Sequence, residues 1–79
     1  MDERNLSARI TVNPNVMLGK PTIRGLRITV EQLLKALAAG VTPQDLLEEY
    51  PELEPQDLQA VFLYAAELVS ETRVFPIAA

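Results

Sequence analysis

Residues 19 to 34 read GKPTIRGLRITVEQLL, and this stretch decides the fold. Gly19 and Lys20-Pro21 punctuate its start. Thr22-Ile23 is a short β-type run that Arg24-Gly25 closes. Gly19 and Gly25 are expected at positive φ, where a side chain would clash. Thr29 then reads as a helix N-cap, and Gln32 three residues on completes a capping box. Ile28 and Leu33 flank the cap as a hydrophobic staple. Three of the chain's seven basic residues, Lys20, Arg24 and Arg27, fall in these sixteen positions.

Downstream, Val30, Leu33, Leu34, Leu37 and Ala38 form one apolar face at helical spacing. Gly40 stands where a left-handed residue ends a helix. A second helix starts with Thr42 as cap, Pro43 in the first turn, Asp45 third, and Val41 stapling Leu46. Tyr50-Pro51 stops it, since a residue before proline avoids the helical region. A third helix opens with Pro55 and Asp57 at matching places, with Leu53 stapling Leu58 and Glu54 as a weaker cap. It is expected to run to about Ser70, with Leu58, Val61, Phe62, Ala65, Leu68 and Val69 as a wide core stripe. Ala60, Leu63 and Ala66 extend apolar surface to its other side, which suits a dimer or partner surface.

Upstream, Ala8, Ile10 and Val12 alternate with Arg9 and Thr11, the period of a half-buried strand. Asn13-Pro14-Asn15 breaks it, and Val16, Met17 and Leu18 form a short apolar run closed by Gly19. The expected fold is mainly α. It is a three-helix helix-turn-helix bundle, homeodomain-like, with a short N-terminal β-hairpin. Residues 1–79 make one domain: 8–28 the hairpin region, 29–70 the helices, 71–79 an extended tail carrying Val74-Phe75-Pro76-Ile77. That tail reads either as a strand on residues 8–12 or as a segment that docks on a partner by strand addition.

A chain of 79 residues buries only about 60% of its unfolded surface, so its core is marginal. There is no cysteine and no histidine, which removes disulfides, thiolate metal sites and the commonest general base. Hydrophobic residues make up 48%, more than one small core needs, so a homodimer is expected. No apolar run approaches the ~20 residues of a membrane span. The opening MDERNLSARI is acidic and polar, unlike a signal peptide, and a cytoplasmic protein is the expectation.

The net charge of −4 is uneven. Residues 1–35 carry six basic residues against three acids, a net +3, while residues 36–79 carry Arg73 against eight acids, a net −7. Such asymmetry marks either a polyanion-binding arm or charge complementarity within the fold or a dimer. Lys20, Arg24 and Arg27, clustered on turns around two glycines, are candidates for nucleic-acid phosphate. Their alternative is a set of solvated turn residues or ion pairs with Glu48, Glu49 and Glu52. Gln56 and Gln59, in the first turns of the third helix, have the chemistry to read adenine. Glu54 and Asp57 beside them would repel phosphate, and both suit a helix N-terminus in their own right.

GKPTIRG lacks the glycine spacing and the Lys-Ser/Thr pair of a phosphate-cradling loop. Glu48, Glu49, Glu52 and Glu54 lack the ligand order of a calcium loop and read as a solvated acidic face. No metal, cofactor or catalytic residue is expected, and the chain reads as a binding protein, not an enzyme.

Asn13-Pro14, Gly19-Lys20-Pro21, Ile23-Arg24-Gly25, Arg27-Ile28, Val30, Ala38-Ala39-Gly40, Tyr50-Pro51, Leu53 and Tyr64-Ala65-Ala66 together resemble the bacterial family catalogued as domain of unknown function 433, from Ile10 to about Leu68. Leu26 stands where that family usually has threonine, so a hydroxyl for a turn or phosphate contact is missing. The resemblance implies a small homeodomain-like or winged helix-turn-helix protein. Several members resemble antitoxins of type II toxin–antitoxin pairs, whose partner is a PIN-like nuclease. It thus implies a chain that neutralises a toxin by binding it and represses its own operon by binding operator DNA. The acidic half and the apolar tail would then face a basic nuclease, with Leu63, Val74, Phe75 and Ile77 as hydrophobic anchors. A stand-alone DNA-binding regulator and a purely structural dimer module are the rival readings.

Overall fold

A computed structural model describes residues 3–71. In chain order they form α1 (Glu3–Ser7), β1 (Ile10–Thr11), a 3-10 turn (Met17–Gly19), β2 (Thr22–Ile23), α2 (Val30–Ala38), α3 (Pro43–Glu49) and α4 (Pro55–Glu71). The molecule is mainly helical, with four helices and one two-stranded antiparallel sheet among the described residues.

Both capping boxes expected from the sequence are present. Thr29 Oγ1 accepts from the Gln32 backbone N–H while the Gln32 side chain accepts from the Thr29 N–H. Thr42 and Asp45 repeat the exchange at α3, with Pro43 in its first turn. Gly40, at φ 97°, follows α2 in the left-handed conformation that lets the last carbonyls find donors.

β1 and β2 pair Ile10 with Ile23 and Thr11 with Thr22. The hairpin connection is long, and the apolar run within it is coiled into the 3-10 turn. Met17, Leu18 and Gly19 all take positive φ, at 50°, 60° and 79°. A second, tighter reversal lies at Arg24-Gly25. Both residues have positive φ, 46° and 74°, and Leu26 N–H donates to the Ile23 carbonyl at 2.7 Å. That is the arrangement of a type I′ turn. It returns the chain so that Ile23 N–H reaches the Ile28 carbonyl and Thr22 bridges Thr29.

The core gathers one residue or two from every expected staple. Ile23, Ile28, Val30, Leu33, Leu46, Leu53, Leu58 and Val61 form a single buried cluster, with Ile10, Leu26, Leu37, Tyr50 and Tyr64 packed at its edge. Gln32 Nε2 donates to the Tyr50 hydroxyl at 3.1 Å, tying α2 to the end of α3.

Three expectations are corrected. A fourth helix, α1, opens the described chain and packs against α4. Its five residues are too few to show a helical period, and so short a helix depends on packing, not propensity. The α4 stripe is also rotated and shortened. Asp57, Leu58, Ala60 and Val61 are buried, whereas Phe62, Leu68 and Val69 are exposed at 50%, 49% and 73%. Phe62, in the first half of the helix, points away from the face that buries Asp57, Leu58, Ala60 and Val61; for Leu68 and Val69 the reason is length. Every residue adds the same rise to an α-helix, so the 17 residues of α4 outrun the nine of α2 and the seven of α3. Its second half therefore has less of the body to lie on. Finally, the helix reaches Glu71, one residue into the stretch read as tail, and residues 72–79 lie outside the described residues.

Candidate functional site

Asp57 is the only acidic residue of the described chain with no solvent exposure. It sits three residues into α4, and every side of its carboxylate is occupied. Arg24 donates from Nε to Oδ1 at 3.0 Å and from Nη2 to Oδ2 at 2.9 Å. Arg9 donates from Nη1 to Oδ1 at 2.9 Å. The Glu54 backbone N–H donates to Oδ2 at 2.8 Å. This last bond closes the α4 N-terminal turn from the third position. The Glu54 side chain meanwhile accepts from Arg9 Nη1 at 2.7 Å.

Two parts of the fold that share no sequence proximity with α4 meet at this carboxylate. The turn after β2 supplies Arg24, and the residue just before β1 supplies Arg9. Arg24 Nη2 also donates to the Glu52 carbonyl at 2.6 Å, fastening the α3–α4 turn. Burial alone pushes the Asp57 carboxyl up. The bonds from Arg24, the Glu54 N–H and Arg9 outweigh it and hold the group below its ordinary value. The same contacts raise both arginines further: Glu54 and then Asp57 act on Arg9, and Asp57 acts on Arg24. No buried side-chain polar atom among the described residues is left without a partner.

The other residues singled out in the sequence separate. Lys20 is exposed and pairs with Glu31 at 2.8 Å; Lys35 reaches the same carboxylate at 3.1 Å. Those two lysines hold the Glu31 carboxyl below its usual range, Lys20 more strongly. Arg27 is exposed and has no hydrogen-bond or ion-pair partner among the described residues. Lys20, Arg27 and Lys35 line one open cleft of ≈ 570 Å³ with Asn15, Leu18 and Gln32. Arg24 is not in that cleft; it faces Asp57. Of the two glutamines, Gln56 is half-buried and Gln59 exposed. Leu63 is half-buried. Val74, Phe75 and Ile77 lie outside the described residues.

Two apolar surface features were not legible as surface in the sequence. Leu18 is 93% exposed on a left-handed turn that only Gly19 announced. A groove of ≈ 500 Å³ also opens between α2 and the second half of α4, walled by Val30, Leu34, Ala38, Ala65, Leu68 and Val69. A further surface is acidic. Asp45, Glu48, Glu49 and Glu52 are all exposed on α3 and the turn after it, and no lysine or arginine occurs from residue 36 to residue 72.

Residues 10–65 match the family model described as "Protein of unknown function (DUF433)". The chain belongs to this family. The matched span opens at β1 and closes at Ala65 within α4, so it holds Arg24, Asp57 and the whole buried cluster, with Arg9 one position outside. A relative is the "Uncharacterized protein y4eO" of Sinorhizobium fredii (strain NBRC 101917 / NGR234), 30% identical over 56 residues. That alignment covers 71% of this chain and 25% of the relative, so the chain spans about a quarter of the relative's length. No solved structure matches the chain. Among the described residues no helix is long and apolar enough to cross a membrane.

Proposed function

We propose that this chain is a non-enzymatic binding protein, an antitoxin-like member of its family that acts by docking on a basic nuclease of the PIN-like kind. The supporting observation is the acidic surface of α3 and the α3–α4 turn. Asp45, Glu48, Glu49 and Glu52 are exposed there with no basic residue interleaved. A protein that binds RNA presents a positive surface, and a negative surface of this kind steers it into contact. The family resemblance supplies the class of partner. The buried Asp57 cage keeps the α3–α4 turn in a fixed geometry beneath that surface.

The test is co-expression of the tagged chain with the proteins encoded beside its gene. A stoichiometric, basic, nuclease-like partner whose binding weakens as salt rises supports the reading. So does loss of that partner on reversing Glu48 and Glu49 to lysine. A partner bound equally well by the reversed variant, or none retained, overturns it.

A second reading is a helix-turn-helix regulator bound to operator DNA, in which α3, the turn at residues 50–54 and α4 form the motif. It is favoured by one observation outside that motif, the convergence of Lys20, Arg27 and Lys35 on one cleft, where Glu31 pairs both lysines and Arg27 is left for phosphate. Phosphate contacts make affinity fall steeply with salt. Removing Arg27 should flatten that slope, and absence of any operator shift at low salt would discard this reading.

A further inference from the structure

The exposed part of α4 has an internal symmetry. Phe62, Ala65, Ala66 and Val69 are spaced three, one and three residues apart, so they form one stripe on the helix surface. The stripe reads large, small, small, large, and its midpoint falls between the two alanines. It is uncharged, and its large ends are 50% and 73% exposed. The α2–α4 groove opens along the same side, with Ala65 and Val69 in its wall.

We infer that a second copy of this chain covers the stripe, with the two α4 helices antiparallel and a two-fold axis between Ala65 and Ala66. A two-fold contact is self-complementary: if residue i touches j of the partner, then j touches i. Laid antiparallel about that midpoint, Phe62 of each copy faces Val69 of the other. The alanines let the helix backbones approach closely at the axis. Each Phe62 ring then enters the mouth of the opposite α2–α4 groove.

Charge selects this occupant. The chain carries −4 overall, so two copies repel on balance. The stripe is where they can meet without opposing carboxylates. Glu67 lies roughly a third of a turn or more from the stripe, and the Glu31–Lys35 pair at the groove rim is internally neutralised. A basic partner gains nothing electrostatic at this seam; its complement is the acidic surface of α3. The dimer is therefore independent of the proposed nuclease partner.

The full-length chain, at micromolar concentration, should sediment with twice its 8.7 kDa mass. Phe62→Asp and Val69→Asp should each shift it to the monomer, raising the dissociation constant about tenfold or more. Far-ultraviolet circular dichroism should be unchanged, because neither side chain is in the core. The chain has no cysteine, which gives a cleaner test of register. In a Phe62→Cys/Val69→Cys double variant the two sites, two turns apart along one helix, are too distant to bridge within a chain. Mild oxidation should give a covalent dimer from the double variant and none from either single variant. A wild-type monomer would overturn the inference and leave the stripe to residues 72–79 or to another protein. A dimer indifferent to Phe62→Asp, or one in which the single cysteine variants cross-link instead, would also overturn it.

Discussion

Arg24 grips the buried carboxylate of Asp57 across 33 positions of sequence while its own backbone sits at a φ of 46°. The two facts belong together. A non-glycine residue in the left-handed region is strained by about 1–2 kcal/mol, and such strain persists only where surrounding structure over-determines it. Here the fork of Arg24 fixes the turn, and the turn aims the fork. Arg9 and the Glu54 N–H take the remaining carboxylate positions, so β1, the β2 turn and the start of α4 share one anchor.

Replacing Asp57 should therefore be among the most damaging single changes in the chain. Asp57→Ala leaves two guanidinium groups facing a cavity. Breaking a buried ion pair from one side costs about 3–5 kcal/mol. The low end is expected, because Arg9 and Arg24 keep side-chain exposures of 19% and 34% and can turn toward water. Urea unfolding followed by circular dichroism measures it, and a loss below about 1 kcal/mol would show that the cage is dispensable.

The same carboxylate predicts an acid limb of stability. The folded Asp57 value lies below the ordinary one, so between the two values the unfolded chain binds more protons than the folded one. Its contribution is complete above the unfolded value of about 3.9 and is lost as pH falls through the folded value. Unfolding free energy should thus decline from about pH 5 downward, and Asp57→Asn should flatten that limb. Glu31 is shifted in the same direction, but it is half exposed and screened by solvent, so Glu31→Gln should leave the limb nearly intact. Equal flattening by both variants would refute the assignment.

The starts of α2 and α3 were legible because each is written in contiguous residues: Thr29 with Gln32, Thr42 with Pro43 and Asp45. The family resemblance, read from Ile10 to about Leu68 and matched over residues 10–65, was carried by short contiguous motifs of the same local kind. What the sequence hid is non-local. Nothing near Arg24 announces a partner that lies beyond both α2 and α3, and by composition the more numerous Glu48, Glu49 and Glu52 compete for it. Asp57 reads as an ordinary first-turn acid, a role it also performs through the Glu54 N–H. The apolar period of α4 marks a helix without marking which part of it is covered. Periodicity locates a stripe, whereas the lengths of α2 and α3 decide how much of it the body reaches.

Gly25 tests the turn from its other central position. Its φ is 74°, yet a Cβ built there would meet nothing within 4 Å. Gly25→Ala should still destabilise the chain, by about 1 kcal/mol, because the cost is purely conformational. Part of it is offset by the lower entropy of the unfolded alanine variant. An unchanged or raised urea midpoint would mean that the turn relaxes to another geometry. The Arg24–Asp57 bonds, which depend on it, should then weaken in step.

Thr29 and Thr42 perform the same capping exchange in different surroundings, and the difference should be measurable. Thr29 is buried at 5% exposure, its backbone bridges Thr22, and its partner Gln32 also donates to Tyr50. Thr42 is exposed, and the weaker arm of its box, Thr42 N–H to Asp45 Oδ2, is 3.5 Å long. Loss of a threonine cap costs about 0.5–2 kcal/mol, and water can replace a lost partner only where it has access. Thr29→Ala should cost about 2 kcal/mol, the upper end, since it leaves the Gln32 N–H unpaired at the edge of the core. Thr42→Ala should cost about 0.5 kcal/mol, the lower end, since water reaches its site. Paired urea titrations decide it, and a larger loss at Thr42 would show that α3, not the α2 start, limits the stability of the fold.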